Sequence, residues 1–316
     1  MRNKKIITVF GATGAQGGGL VRAILSDAQS EFVVRAVTRN VDSEKAKALA
    51  ALGAEVVAAD IDDPASVRKT LQGAYGAYFV TFFWGHFSTE RECKEIADFV
   101  EVAKKSELQH IIWSTLEDIR DWVPLEDNRI PTLQGKYKVP HFDGKGFSDK
   151  LFTEAKLPVT FLRTSFYWEN FIYFGMGPKK FEDGNYYLTL PLNDKKMPCI
   201  ASEDIGKCAY RIFKKGSELI GKTIGIAGET LSGKEMAQKF SKALGKSVFF
   251  NNVTAEAFRN FGFPGAEDLG NMFQFKVEFN DYFTKSRNID YARSLNPELM
   301  NFEQWLSQNI ARVPLK

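Results

Sequence analysis

The chain has 316 residues, with 42 basic and 39 acidic side chains and a formal net charge of +3. That near-balance, without a basic run, excludes a surface built to hold nucleic acid through phosphate contacts. The most apolar stretch, Ala74 to Phe87, is too short and too broken by glycine to span a bilayer. The length suits one large domain or two smaller ones with a sizeable core. Cys93, Cys199 and Cys208 are odd in number and far apart, so neither a disulfide framework nor a metal site is expected, and a reducing, cytoplasmic compartment fits. The N-terminal residues run straight into the first strand, so no signal peptide is expected.

The stretch from Ile6 to Leu20 reads as a buried strand, a glycine turn and the opening of a helix. Gly11, Gly14 and Gly17 recur every third residue. The first permits a tight turn out of the strand, the second lets backbone N–H groups approach a pyrophosphate, and the third lets the helix pack close to the strand. The helix N-terminus then presents unpaired N–H groups and a partial positive charge to phosphate. Apolar spacing predicts further strands at Phe32–Arg39, Glu55–Asp60, Ala77–Phe82 and His110–Thr115. Helices are predicted between them at 43–52, from Pro64 to Gly73, and at 89–105. Strict alternation of strand and helix implies right-handed crossovers and an α/β fold, a doubly wound parallel Rossmann sheet with ligand outside the carboxyl ends of its strands.

From Leu116 to Pro140 the pattern fails, which predicts a long loop. A helix at 141–155 and a strand at Val159–Thr164 resume it. The expected division is 1–165 as the dinucleotide-binding domain and 166–316 as a smaller α+β region on the substrate or partner side, able to lend strands to the main sheet. In that region strands are expected at 186–190 and 223–227, helices from Ser202, Ser232 and Thr254, and a phenylalanine-rich stretch runs from Phe258 to Phe283. Those phenylalanines are expected to be mostly core, with a few suited to protein binding. The run Gly228–Lys234 has P-loop spacing, but Glu235 stands where a hydroxyl would hold Mg²⁺, so Ser232 and Glu235 read as a capping box.

Arg39 ends the second strand, where an NAD-selective protein places a carboxylate for the ribose 2′-OH; a guanidinium grips a 2′-phosphate instead, so NADP(H) is the expected cofactor. Asp60, Ile61 and Asp62 end the third strand and would lie beside the adenine, with helix capping before Pro64 as the alternative. Short-chain dehydrogenases use a Tyr-x-x-x-Lys pair, in which lysine holds the nicotinamide ribose and tyrosine moves the proton. Here the segment reads His141-Phe142-Asp143-Gly144-Lys145, with Tyr137 one turn earlier in the loop. Lys145 is thus a cofactor contact, and Lys145 and His141 are the only candidates for proton transfer. Ser114 and Thr115 end the fifth strand, as substrate-side hydroxyls or simply as strand-end partners.

Gly11–Gly18, Val37–Asn40, His141–Gly146 and Tyr167–Asn170 resemble the NmrA-like family, an atypical branch of the short-chain dehydrogenases, over nearly the whole chain. Phe263–Ala266, Asn271–Phe273 and Trp305-Leu306 look like its NADPH-sensing branch, from which Phe82-Phe83 departs where that branch tends to be polar. The resemblance implies that Gly11, Thr13, Gly14, Ala15, Gln16 and Gly17 hold the diphosphate and Arg39 the 2′-phosphate. It also implies that Thr81, Lys145, Tyr167 and Asn170 line the ribose and nicotinamide end, with Lys94 a weaker carry-over. The expected function is a redox sensor that binds NADP(H) without turning it over and acts through regulatory protein partners in cytoplasm or nucleus, with a homodimer left open. The alternative is an NADPH-dependent reductase resembling isoflavone or quinone reductases; a purely structural Rossmann protein is the third reading.

Overall fold

A computed structural model describes residues 4–315. It separates into two compact units. The first takes the chain through Asp118 together with Gly144–Arg163 and Ser202–Ile224; the second takes Ile119–Asp143, Thr164–Ala201 and the chain from Gly225 onward.

In the first unit, strands β1 (Lys5–Val9), β2 (Phe32–Thr38), β3 (Glu55–Ala58), β4 (Ala74–Phe79), β5 (His110–Thr115) and β6 (Val159–Arg163) are ordered β3-β2-β1-β4-β5-β6, all pairs parallel. Thr223–Gly225 adds a seventh strand beside β6, so late sequence does return to the main sheet. The order reverses between β1 and β4, which is where a doubly wound sheet opens a crevice at its carboxyl edge. Helices α1 (Ala15–Ser26), α2 (Glu44–Ala51), α3 (Pro64–Leu71), α4 (Thr89–Ala103) and α5 (Pro140–Glu154) supply the crossovers, with the first four residues of α5 counted in the second unit.

Burial drives this arrangement. On one face Phe10, Phe79, Phe99, Trp113 and Phe152 form a continuous aromatic core, with Phe79 stacked on Phe99 at 3.8 Å between centroids. Each such ring contact adds to its burial by about 0.5–1.5 kcal/mol. α1 packs so closely against the helix Ser202–Lys215 that a Cβ on Gly206 would stand 2.1 Å from the backbone nitrogen of Leu20.

Two strand expectations are corrected. β4 spans 74–79, three residues earlier than 77–82, and leaves Thr81 beyond the strand. Gly73, at φ +68°, ends the preceding helix, and Gly76 lies inside the strand, where a Cβ would sit 2.7 Å from the His110 carbonyl oxygen. β3 stops at Ala58, short of Asp60, because the Asp60 N–H turns to the Ser66 hydroxyl.

The second unit carries two three-stranded sheets. One joins Phe166–Tyr167, Lys196–Ile200 and Glu229–Ser232; the other joins Lys179–Lys180, Tyr186–Leu190 and Val248–Asn252. Ser232 and Glu235 form the expected capping box at the start of Gly233–Leu244. Phe258, Phe273, Phe275 and Phe283 are core, whereas Phe261 and Phe263 are exposed. The irregular segment before α5 is held firmly. The buried Lys138 ammonium donates to the carbonyls of Leu125, Asp127 and Ile130 and to the Thr132 hydroxyl, and the Asp143 carboxylate accepts from the N–H groups of Ile119, Lys138 and Val139.

Candidate functional site: a dinucleotide cradle

The turn between β1 and α1 has the geometry its glycines predict. Gly11 adopts φ +64°. A Cβ on Gly14 would lie 3.1 Å from the Gly11 carbonyl oxygen, and one on Gly17 only 2.4 Å from it. α2, α3 and α4 are capped by the side chains of Ser43, Asp63 and Ser88, but α1 begins at Gly14 with no side-chain cap and no acid in its first turn. Its first N–H groups are therefore left to a ligand or solvent. Gly11, Gly14 and Ala15 are exposed, and Thr13 is half-buried. Gln16 behaves differently: its side-chain oxygen accepts from Ser114 Oγ at 2.7 Å and from the Tyr78 hydroxyl.

Arg39 follows β2, is exposed, and has no hydrogen bond or ion pair among the described residues. Asp60 and Asp62 lie past the end of β3. Asp63, not either of them, caps α3. Asp60 accepts from the Asp62 N–H, and Asp62 pairs with Arg91 at 2.6 Å, while Ile61 packs beside the aromatic core.

At the carboxyl end of β4 the chemistry is closed rather than open. Lys145 and Thr81 are both buried. The Lys145 ammonium donates to Thr81 Oγ1 and lies 3.2 Å from Glu92 Oε1, and the Thr81 hydroxyl donates to that same oxygen at 2.7 Å. The ammonium also sits 4.9 Å from the centre of the Trp113 ring. Glu92 is fully buried, and its Oε2 has no hydrogen-bond partner among the described residues. One turn along α4, burial pushes the Glu95 carboxyl up to about 7, reinforced by Asp62 and Glu92 and opposed by Arg91. Burial likewise holds the His86 imidazole, 3.6 Å from Glu95, below its ordinary value. Lys94 instead faces outward, paired with Asp98.

In the second unit, His141 is buried with its Nδ1 bound to the Asp268 carboxylate, whose other oxygen accepts the His141 backbone N–H at 3.0 Å. Tyr137 is buried in the segment before α5 and takes part in the Leu133–Tyr137 bridge. The Tyr167 hydroxyl lies 3.1 Å from Thr164 Oγ1, and Tyr167 pairs with Ile200 in its sheet. Asn170 opens the short helix Asn170–Tyr173, half-buried, its side-chain amide unbonded among the described residues. No cluster among the described residues could hold a metal, and none of their helices is long and apolar enough to cross a membrane.

A profile of the NmrA-like family matches residues 3–306. The chain belongs to the NmrA-like family. An NmrA-like family domain-containing protein of Dictyostelium discoideum is 26% identical, covering 97% of this chain and 98% of its own. An NmrA-like family domain-containing oxidoreductase of Malbranchea aurantiaca is 29% identical over 78% of this chain and 74% of its own. Structures of NmrA, a negative transcriptional regulator, solved in complex with NADP and with NAD, superpose at TM-score 0.77 with 22% identity, covering 97% of this chain and 95% of theirs.

Within this NmrA-like chain, Glu92 and Asp268 are the polar partners that sequence reading missed. A signal for Glu92 existed. Glu92 and Glu95 each lie four residues before a buried apolar residue, Ile96 and Phe99, so two acids continue an apolar helical stripe. Asp268 had none, since its partner lies 127 residues away.

Proposed function

We propose that this chain binds NADP(H) and acts as a redox-sensing regulator of protein partners, without dehydrogenase turnover. The observation that carries the reading is the contrast between an unpaired Arg39 beside an uncapped glycine turn and a Tyr-x-x-x-Lys position occupied by a carboxylate-bound histidine. The residues present fit the dinucleotide: a Cβ at Gly14 or Gly17 would crowd the Gly11 carbonyl, so the tight turn that a diphosphate requires needs glycine there, and a free guanidinium matches a phosphate monoester. In this reading the backbone of Thr13, Gly14, Ala15, Gln16 and Gly17 receives the diphosphate and Arg39 the 2′-phosphate. Asp60–Asp62 flank the adenine, and Thr81 and Lys145 face the ribose of the nicotinamide half. A bound nicotinamide supplies a hydride donor or acceptor. Sensing requires that the partner bind the differently occupied or differently reduced forms unequally, since a ligand shifts an equilibrium only by its differential affinity. The cytoplasm or nucleus is the proposed setting.

Calorimetry with NADPH, NADP⁺ and NADH tests the cofactor assignment. Arg39→Ala is expected to weaken NADPH by about 10- to 100-fold, the equivalent of one charge-assisted phosphate contact, and to leave NADH unchanged. Equal affinity of wild type for NADPH and NADH would overturn it. Titration of a candidate partner with apo, NADPH-loaded and NADP⁺-loaded protein tests the sensing step, and three identical affinities would end that part of the reading.

The His141–Asp268 pair favours a second reading, an NADPH-dependent reductase, because a carboxylate that holds one ring nitrogen of a histidine orients the other for proton transfer. Loss of absorbance near 340 nm with a carbonyl or quinone panel, abolished in Lys145→Ala and in His141→Ala, would establish it.

A further inference from the structure

Lys145 can donate three hydrogen bonds, and its direction is set by its partners. One is taken inside the first unit by Thr81 Oγ1, the Glu92 carboxylate stands 3.2 Å from the ammonium as its ion-pair partner, and the Thr81 hydroxyl is itself turned by donating to Glu92. The Trp113 ring occupies a further side of the ammonium. Glu92 therefore anchors a closed three-membered network, as acceptor for Thr81 and counter-ion for Lys145, and the lysine keeps N–H groups for a ligand. The carboxylate is fixed in turn. It lies in the first turn of α4, where the helix dipole favours negative charge, and Gly144 closes over it: a Cβ there would lie 2.7 Å from Thr89 Cγ2 and 3.4 Å from Glu92 Oε2.

We propose that Glu92 is a positioning residue for the nicotinamide half of the dinucleotide, acting through Thr81 and Lys145 and touching no part of the cofactor itself. This rests on the NADP(H) reading of the site. It predicts that the two halves of the ligand respond differently to a change at Glu92, because the adenosine half meets the glycine turn, Arg39 and Asp60–Asp62, and Glu92 has its hydrogen bond and ion pair with Thr81 and Lys145 instead.

The probes are NADPH and 2′,5′-ADP, which carries the adenosine with its 2′- and 5′-phosphates and lacks the nicotinamide half. Glu92→Leu removes the acceptor at similar volume and is expected to weaken NADPH about tenfold, the cost of losing one positioned charge-assisted bond, with 2′,5′-ADP unchanged. Glu92→Gln keeps an acceptor oxygen in place and should hold NADPH within about threefold of wild type. If Glu92→Leu does not fold, the double variant Glu92→Leu/Lys145→Met, which leaves no buried charge unpaired, carries the test. It should bind 2′,5′-ADP like wild type and NADPH within about threefold of Lys145→Met alone, since a positioning residue has no effect once the lysine it positions is gone. Parallel loss of both probes would mean that Glu92 only supports the fold, and unchanged NADPH binding would mean that it does not act on the site; either overturns the proposal. Wild-type protein that binds neither probe would overturn the NADP(H) reading itself.

Discussion

The two ends of the proposed cradle within the first unit are built on opposite principles. At the glycine end little is paired: α1 lacks a side-chain cap and Arg39 has no partner among the described residues, while the Gln16 side chain is tied to Ser114 and Tyr78. At the lysine end the side chains hold one another, with Lys145, Thr81 and Glu92 joined in a buried network. An open end contributes affinity by supplying donors that water had been serving. A closed end contributes direction, since its groups are ordered before any ligand arrives.

That difference can be broken most forcefully at Lys145. Replacing it with methionine strands the fully buried Glu92 carboxylate, and removal of one partner of a buried pair costs about 3–5 kcal/mol. Urea unfolding should register that loss, and adding Glu92→Leu should recover at least half of it. If Lys145→Met were as stable as wild type, the lysine end would have to be hydrated and loose, and the contrast would vanish.

Gly17→Ala attacks the other end. The new methyl group would stand 2.4 Å from the Gly11 carbonyl oxygen and 3.0 Å from that of Phe10, both backbone, so the turn itself must shift. The expected cost is about 1–3 kcal/mol of stability, and NADPH binding should fall below detection by calorimetry. Gly14→Ala, facing the same oxygen at 3.1 Å, should lie between Gly17→Ala and wild type on both measures. Equal behaviour of the two variants would show that the carbonyl gives way, and that the cradle is less rigid than its glycines imply.

The same contrast decides what the sequence could reveal. The open end is written locally: Gly11, Gly14 and Gly17 with Arg39 after the next strand, each conformation imposed by near neighbours. β5 was legible residue for residue, because His110–Thr115 is an uninterrupted buried run between polar flanks. β4 was misplaced by three residues because Gly76 reads as a turn until the His110 carbonyl packed against it is known. The closed end joins residues 11 to 64 apart in sequence, of which Lys145 is legible from the Tyr-x-x-x-Lys spacing, Thr81 through family resemblance, and Glu92 from neither. His141 was legible as a departure from tyrosine, but the carboxylate that holds it comes from a helix far along the chain.

The smallest expected effect concerns the floor of the closed end, and its sign is the informative part. Asp149 stands one turn beyond Lys145 on α5, and its Oδ1 accepts from Trp113 Nε1 at 2.9 Å and Thr115 Oγ1 at 2.6 Å. Burial pushes this carboxyl up to about 7, against the downward pull of Thr115, Arg163 and Trp113. In the unfolded chain an aspartate titrates at about 3.9. Between those two values the folded protein holds a proton that the unfolded chain has released, so unfolding free energy falls as pH rises from about 4 to about 7 and stays low above it. An amide in place of this carboxyl keeps an oxygen to accept the same two bonds and never ionises, in either state. Asp149→Asn should therefore flatten the pH dependence in that window and gain on the order of 1–2 kcal/mol over wild type at pH 8. Denaturant melts at pH 5 and pH 8 decide it. A wild-type slope of the opposite sign would mean that Asp149 is ionised and solvated, and that the Trp113 ring beneath the Lys145 ammonium rests on a wet, adjustable floor.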